Sequence, residues 1–212
     1  MFIELIDLLR CINAHEDTWL VASFKTVSHR FVLEGSLGCP SCSAQYPIRD
    51  GIADFSAGLA LPSCEAERAG ASHRREELAT RAGAYLSATE PGATVVLGGI
   101  WAHAAKELSE MAEVRVLALN MAPEVEESPT VGLLQVGSAI PVQPGSVLGV
   151  ALDAWFPAKI IDAAVRAVRP GGRIVGPVVM PPPPELSVLA HDDNYWVAQK
   201  APEVVKLSRA SR

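Results

Sequence analysis

The chain has 212 residues, 49% of them hydrophobic and 20% charged, enough for one large domain or two small ones around a buried core. No apolar run reaches the roughly 18 residues that span a bilayer, and the first residues lack the basic flank and apolar block of a secretion signal, so the sequence reads as soluble and cytoplasmic with no membrane partner. A formal net charge of -6 and a pI near 5.4 argue against direct nucleic-acid binding, because that affinity comes mainly from lysine and arginine on phosphates.

Cysteine use is uneven. Cys11, Cys39 and Cys42 crowd the start of the chain, Cys64 stands alone, and nothing after it is a cysteine. That clustering suits a metal site better than a disulfide framework. Three regions separate by composition: residues 1–57, a linker over 58–83, and 84–212. The first mixes cysteine, histidine and aromatic residues with the β-prone runs TWLVASF and HRFVLEG. Within it CPSC at 39–42 is a Cys-x-x-Cys knuckle, which lets two thiolates meet one tetrahedral zinc from a tight turn. Cys11 and His15, with three residues between them, would complete a Cys3His sphere. His29 is the substitute fourth ligand, although its strand-like run is expected to put it on an exposed face. A simpler reading of the same residues makes Cys11 a core side chain, His15 a surface histidine and CPSC a turn. In Tyr46-Pro47-Ile48-Arg49-Asp50-Gly51-Ile52, proline and glycine bracket a short strand, with a positive-φ turn available at Gly51.

The alanine-rich, doubly charged stretch over 58–83 suits a linker that ends in a helix. Beyond it, strand-like and helical runs alternate, the pattern of a parallel α/β sheet. TVVLGGI is the first strand, after the turn signal Pro91-Gly92, and AHAAKELSEMA is a helix. VRVLALN, GLLQVG and SVLGVALDA follow as strands short enough to be covered on both faces. PAKIIDAAVRAVRPGG is a helix that Pro157 opens and Pro170-Gly171-Gly172 stops, and GRIVGPVVM is the fifth strand. Pro181 to Pro184 should run as a stiff extended connector. ELSVLA and YWVAQK flank the polar turn His191-Asp192-Asp193-Asn194, which predicts a closing antiparallel hairpin. The tail APEVVKLSRASR is expected to be partly disordered.

LIDLLRC at 5–11, followed by GCPSCSAQYPIRDGIADF at 38–55, resembles the small zinc-binding proteins that partner and activate tRNA and release-factor methyltransferases. Their pattern is an apolar helix ending in Cys-Pro-x-Cys, a hairpin, then a second Cys-x-x-Cys leading into Tyr-Pro-Ile-x-Asp-Gly-Ile-Pro. The second half is kept almost intact here. The first knuckle reads Cys11-Ile12-Asn13-Ala14-His15, so one thiolate is missing and His15 stands in its place. The resemblance implies zinc on Cys11, His15, Cys39 and Cys42, and a module that lends a methyltransferase a strand or a hydrophobic face.

The order of strands, AVRPGGRIVG after a helix, and a terminal YWVA strand resemble the fold of S-adenosylmethionine (SAM)-dependent methyltransferases. Residues 137–152, GSAIPVQPGSVLGVAL, are similar to that family's Gly-Asp-Ala, apolar, Leu-Pro-Phe, turn, Phe-Asp segment. The resemblance implies a Rossmann-like α/β domain with a largely parallel sheet and a C-terminal antiparallel hairpin, behind a small β-rich zinc-binding-like module. It also implies three SAM contacts, and each departs from the family. The first turn is Leu97-Gly98-Gly99-Ile100-Trp101-Ala102, with two adjacent glycines, no preceding acid, and a bulky Trp101 where the backbone should stay open. The second strand ends at Asn120 rather than at an acid for the ribose hydroxyls, and Ser138 replaces the aspartate that receives the adenine amino group. A lost charged acceptor costs roughly 1.5–3 kcal/mol, so about two to four decades of affinity go with both carboxylates. Gly98, Gly99, Asn120 and Ser138 are therefore vestigial cofactor positions.

No residue stands out as catalytic. Asp153, near the end of the fourth α/β strand, suits a general base or, more simply, a capping or solvated carboxylate. The expected function is a non-catalytic binding or structural subunit with a protein partner or a second copy of itself, an inference helped by a mean hydropathy of +0.22. The alternative is an active SAM-dependent methyltransferase with its activator fused in cis. A third reading puts a different ligand, such as a nucleoside, in the old crevice.

Overall fold

A computed structural model describes residues 1–58, 72–121 and 128–202. Cys64, half of the linker and most of the tail, for which sequence-based expectations are stated above, lie outside the described residues.

After one helical turn, α1 (Ile3–Ile6), the chain forms two hairpins from β1 (Val21–Ser28), β2 (Phe31–Gly38), β3 (Gln45–Arg49) and β4 (Ile52–Phe55). Both are closed by two residues at positive φ: His29 and Arg30 at 46° and 70°, and Asp50 and Gly51 at 50° and 77°. That is the turn whose twist matches paired strands. Gly51 is required there, since a Cβ would lie 2.6 Å from the Phe31 ring and 2.9 Å from the Met1 nitrogen.

The rest comprises α2 (Ser72–Leu86), β5 (Thr94–Gly98), a 3-10 helix (Gly99–Ala104), α3 (Ala105–Ala112), β6 (Arg115–Leu119), β7 (Val131–Val136), β8 (Val147–Ala151), α4 (Ile160–Ala167), β9 (Val168–Pro177), β10 (Leu186–His191) and β11 (Tyr195–Lys200). All eleven strands join one mixed sheet in the order β1-β2-β3-β4-β7-β6-β5-β8-β9-β11-β10. From β4 to β9 the neighbours run parallel, and antiparallel pairs finish both ends. The two segments of the sequence meet at β4 and β7, where Ile52, Ala53, Asp54 and Phe55 pair with Leu133 to Val136.

Side chains alternate across the central strands. Val96, Leu117, Leu119, Leu134, Val150 and Ile174 pack with Leu5, Ile6, Ile160 and Ala164 on one face, in the same core as Ile48 and Phe55. Val95, Leu97, Val116, Ala118 and Val175 pack with Leu78, Ala82, Leu86 and Leu108 on the other. With strands covered on both faces and the order reversing between β5 and β8, the architecture is Rossmann-like.

Four local expectations are corrected. The apolar LIDLLRC run is not helical throughout: Leu9 instead bridges Val142, and Arg10 bridges Trp19. The helix expected from Ala102 begins as a 3-10 turn and becomes α-helical at Ala105. α4 stops at Ala167, ahead of Pro170, because the residue before a proline avoids the helical region and the Lys200 ammonium already satisfies the Val165 and Val168 carbonyls. His29 sits in the β1–β2 turn rather than on a strand face.

Candidate functional site

Cys39 and Cys42 sit on the tight turn after β2, in which the Cys39 N–H donates to the Ala44 carbonyl at 2.8 Å and the Ser43 N–H to the Cys39 carbonyl at 2.9 Å. The loop after α1 brings Cys11 and His15 onto them. The ligand atoms of Cys11, His15, Cys39 and Cys42 all lie within 4.8 Å of one another. Cys11 and Cys42 sulfurs are 3.7 Å apart, and Cys39 Sγ is 3.3 Å from His15 Nε2. A tetrahedron with Zn–S of about 2.3 Å and Zn–N of about 2.0 Å has edges of roughly 3.8 and 3.5 Å, so these two edges are already at metal-site length. Three sulfurs and one imidazole are the soft donor set that zinc takes.

The surroundings orient the donors. His15 Nδ1 lies 2.6 Å from the Glu16 carbonyl and donates to it, which leaves the Nε2 lone pair facing the sulfurs. The Glu16 carbonyl also holds the imidazole pKa above its usual value. Cys42 is shifted to about 6, chiefly by the Ala44 N–H and then by the Asn13 amide, whose Nδ2 is 3.2 Å from its sulfur. Burial pushes Cys11 up, opposed by the Tyr46 hydroxyl 3.0 Å from its sulfur. Tyr46 in turn stacks on Phe55, with ring centroids 4.4 Å apart, which links the cluster to β4.

The second region is the crevice at the C-terminal ends of β5 and β8, the topological switch point. Gly98 and Gly99 lie there as expected, and side chains of this chain lie against them. A Cβ on Gly98 would meet the Phe156 ring at 2.7 Å, and one on Gly99, whose φ is +65°, would meet the Asp153 carboxylate at 2.0 Å. Asp153 Oδ2 accepts from the Ile100 N–H at 2.6 Å and Oδ1 from the Trp155 N–H at 3.0 Å. Burial raises the Asp153 pKa, and these two donors oppose the rise. Trp101, expected over this turn, is instead fully buried, with its ring 4.9 Å from that of Tyr195 and 6.1 Å from that of Tyr85.

Asn120 extends the β6–β7 ladder with its side chain. Its Nδ2 donates to the Val136 carbonyl at 3.0 Å, and its Oδ1 accepts from the Val136 N–H at 2.7 Å. Ser138 lines a separate open groove of about 390 Å³ with Ile12, Ala139, Lys159, Asp162, Ala163 and Arg166, which includes none of the other three vestigial positions. The structure thus gathers the four metal-ligand candidates, and it sets Gly98, Asn120 and Ser138 at or just beyond the ends of the neighbouring strands β5, β6 and β7, with Gly98 paired to Leu119 and the Asn120 amide bonded to Val136. Asp153, Phe156, Tyr46 and Asn13 matter to these sites, and only the Asx turn from Asp153 to Trp155 carried a local sequence signal.

No family model matches the sequence, and no curated protein is similar to it. Several solved structures are similar. A Galdieria sulphuraria protein assigned as a sarcosine dimethylglycine methyltransferase is 21% identical over 50% of this chain and 46% of its own, with a TM-score of 0.40. A SAM-dependent methyltransferase from Aquifex aeolicus is 16% identical over 63% of this chain and 94% of its own, with a TM-score of 0.43. A Haemonchus contortus phosphoethanolamine N-methyltransferase, solved with S-adenosylhomocysteine, is 16% identical over 50% of this chain and 28% of its own, with a TM-score of 0.40. The chain thus spans less than half the length of the Galdieria and Haemonchus proteins. The strand order β7-β6-β5-β8-β9, with the reversed pair β11-β10 after it, is that of a Rossmann-like α/β fold with a mostly parallel sheet. No helix among the described residues is long and apolar enough to cross a membrane.

Proposed function

We propose that this chain is a non-catalytic, methyltransferase-like protein acting as a binding or structural subunit, with a zinc ion on Cys11, His15, Cys39 and Cys42. The observation that carries the reading is the crevice. Asp153 covers the backbone at Gly99, where a cofactor would need close approach, and satisfies the Ile100 N–H. Both ends of the Asn120 amide are engaged with Val136, so a ribose would have to break those bonds. Breaking each costs on the order of 1 kcal/mol before any new contact forms.

Four protein ligands close a structural zinc site, and such a site contributes folding energy directly. The N-terminal segment, residues 1–57, then works in cis on residues 84–212: β4 gives β7 a parallel neighbour, and the Arg10 N–H donates to the Pro141 carbonyl at 2.9 Å. For a protein partner or a second copy, the reading draws on the exposed apolar side chains after β8 and β9, with Trp155 at 41% and Val179 at 72% exposure. The same β4–β7 pairing favours the second reading, an active methyltransferase with its activator fused in cis.

Isothermal titration with SAM and S-adenosylhomocysteine separates the two. The expected result is no saturable heat, whereas micromolar affinity would overturn the proposal in favour of the enzyme. Metal analysis of protein purified without chelators should give stoichiometric zinc that Cys39→Ser loses. Light scattering after size exclusion should show an assembly larger than one chain, or a partner should be retained; a clean monomer with neither would remove the subunit role.

A further inference from the structure

We propose that Cys42 is an oxidant-sensitive modification site and that Cys11 is the thiol that resolves it. The inference rests on the same four residues being metal ligands and adds that one edge of the cluster is chemically unequal to the others. Cys42 is exposed, Cys11 half-buried, and Cys39 buried at 3% exposure. An oxidant arriving from solvent therefore meets the Cys42 sulfur first. The Cys11 sulfur lies 3.7 Å from it, so forming a bond of about 2.05 Å needs the pair to close by less than 2 Å. Cys39, the knuckle partner that sequence spacing would name, is engaged by His15 Nε2 at 3.3 Å and is shielded.

With hydrogen peroxide as oxidant, the Cys42 sulfur attacks one peroxide oxygen and the O–O bond breaks. Cys42 becomes a sulfenic acid, and the second oxygen leaves, with a proton, as water. The Cys11 sulfur then attacks the Cys42 sulfur and expels the hydroxyl, which also leaves as water. In sum, two thiolates, one peroxide and two protons give one disulfide and two waters. The two sulfurs lose the two electrons that the peroxide gains. A metal held by both thiolates loses two of its four ligands in the process.

The test uses the full chain carrying Cys64→Ser, which removes the remaining cysteine of the chain. The protein is titrated with hydrogen peroxide while a chromogenic chelator reports zinc, and the products are mapped by mass spectrometry of non-reduced peptides. The expected outcome is one zinc released for each pair of thiols lost, a Cys11–Cys42 disulfide, and recovery with dithiothreitol and zinc. A Cys39–Cys42 disulfide, or zinc retained once peroxide is in excess, would overturn the inference. If the protein is purified without zinc, the metal reading has failed, and the mapped disulfide still decides this one. Cys39→Ser provides a second check, because it should still form the Cys11–Cys42 bond, and its failure to do so counts against the pair.

Discussion

Asp153 shows how one side chain can change what a glycine turn does. Its carboxylate lies where a Cβ on Gly99 would project, and Gly99 holds a positive φ of 65°. Gly99→Ala adds left-handed backbone strain to that collision, so the variant should lose about 2–4 kcal/mol in denaturant unfolding. An unchanged midpoint would mean that the carboxylate does not sit on the turn. Burial also raises the Asp153 pKa, so the folded chain binds its proton more tightly than the unfolded chain does. Stability from this group is then greatest when it is protonated, and falls as pH rises from the ordinary carboxyl value through the raised one. The melting temperature of wild type minus that of Asp153→Asn should accordingly shrink as pH is raised from about 4 toward neutrality. A difference that stays constant or grows would contradict the burial.

At the scale of elements, the junction between β4 and β7 deserves the most weight, because there the N-terminal hairpins become part of the α/β sheet. Phe55 ends β4, pairs with Val136, stacks on Tyr46 and is 1% exposed. Truncating a buried aromatic residue costs about 3–5 kcal/mol. Since Tyr46 also contacts Cys11, Phe55→Ala should lower zinc retention in chelator competition as well as stability. Lost stability with unchanged zinc affinity would show that the stack does not reach the cluster. The neighbouring loop obeys the same coupling: Arg10 donates to the carbonyls of Asp7 and Leu9 and to Gln143 Oε1, and its guanidinium stacks over Trp19 at 3.4 Å.

For the whole molecule, the shared core over one sheet face includes Ile48 and Phe55 together with Leu117, Leu134 and Ile160. A ligand bound only by the folded state stabilises whatever unfolds with it, by about 4 kcal/mol at a thousand times its dissociation constant. Removing zinc with a chelator should therefore lower a single thermal transition, seen at one temperature by near- and far-ultraviolet circular dichroism. Two transitions, with only the smaller one sensitive to the chelator, would show that residues 1–57 unfold independently of the rest.

Most of the elements were legible in the sequence because each is set by near neighbours. Five buried strands, both closing features of the C-terminal hairpin, and the Asp50-Gly51 turn follow from short apolar runs and from residues that tolerate positive φ. The knuckle at Cys39 and Cys42 follows from spacing alone. His15, taken ahead of His29 from its spacing to Cys11, does lie against Cys39, whereas what the sequence could not determine depends on contacts between distant residues: Asn120 on Val136, and Asp153 on Ile100, 53 positions away. The end of α4 belongs with these, since Lys200 caps it from 32 residues beyond Val168. Local pattern fixes which backbone each segment prefers, but only the packed sheet decides which side chain fills a given space. That is why the position of the crevice could be read from the residues, while the side chains that close it could not.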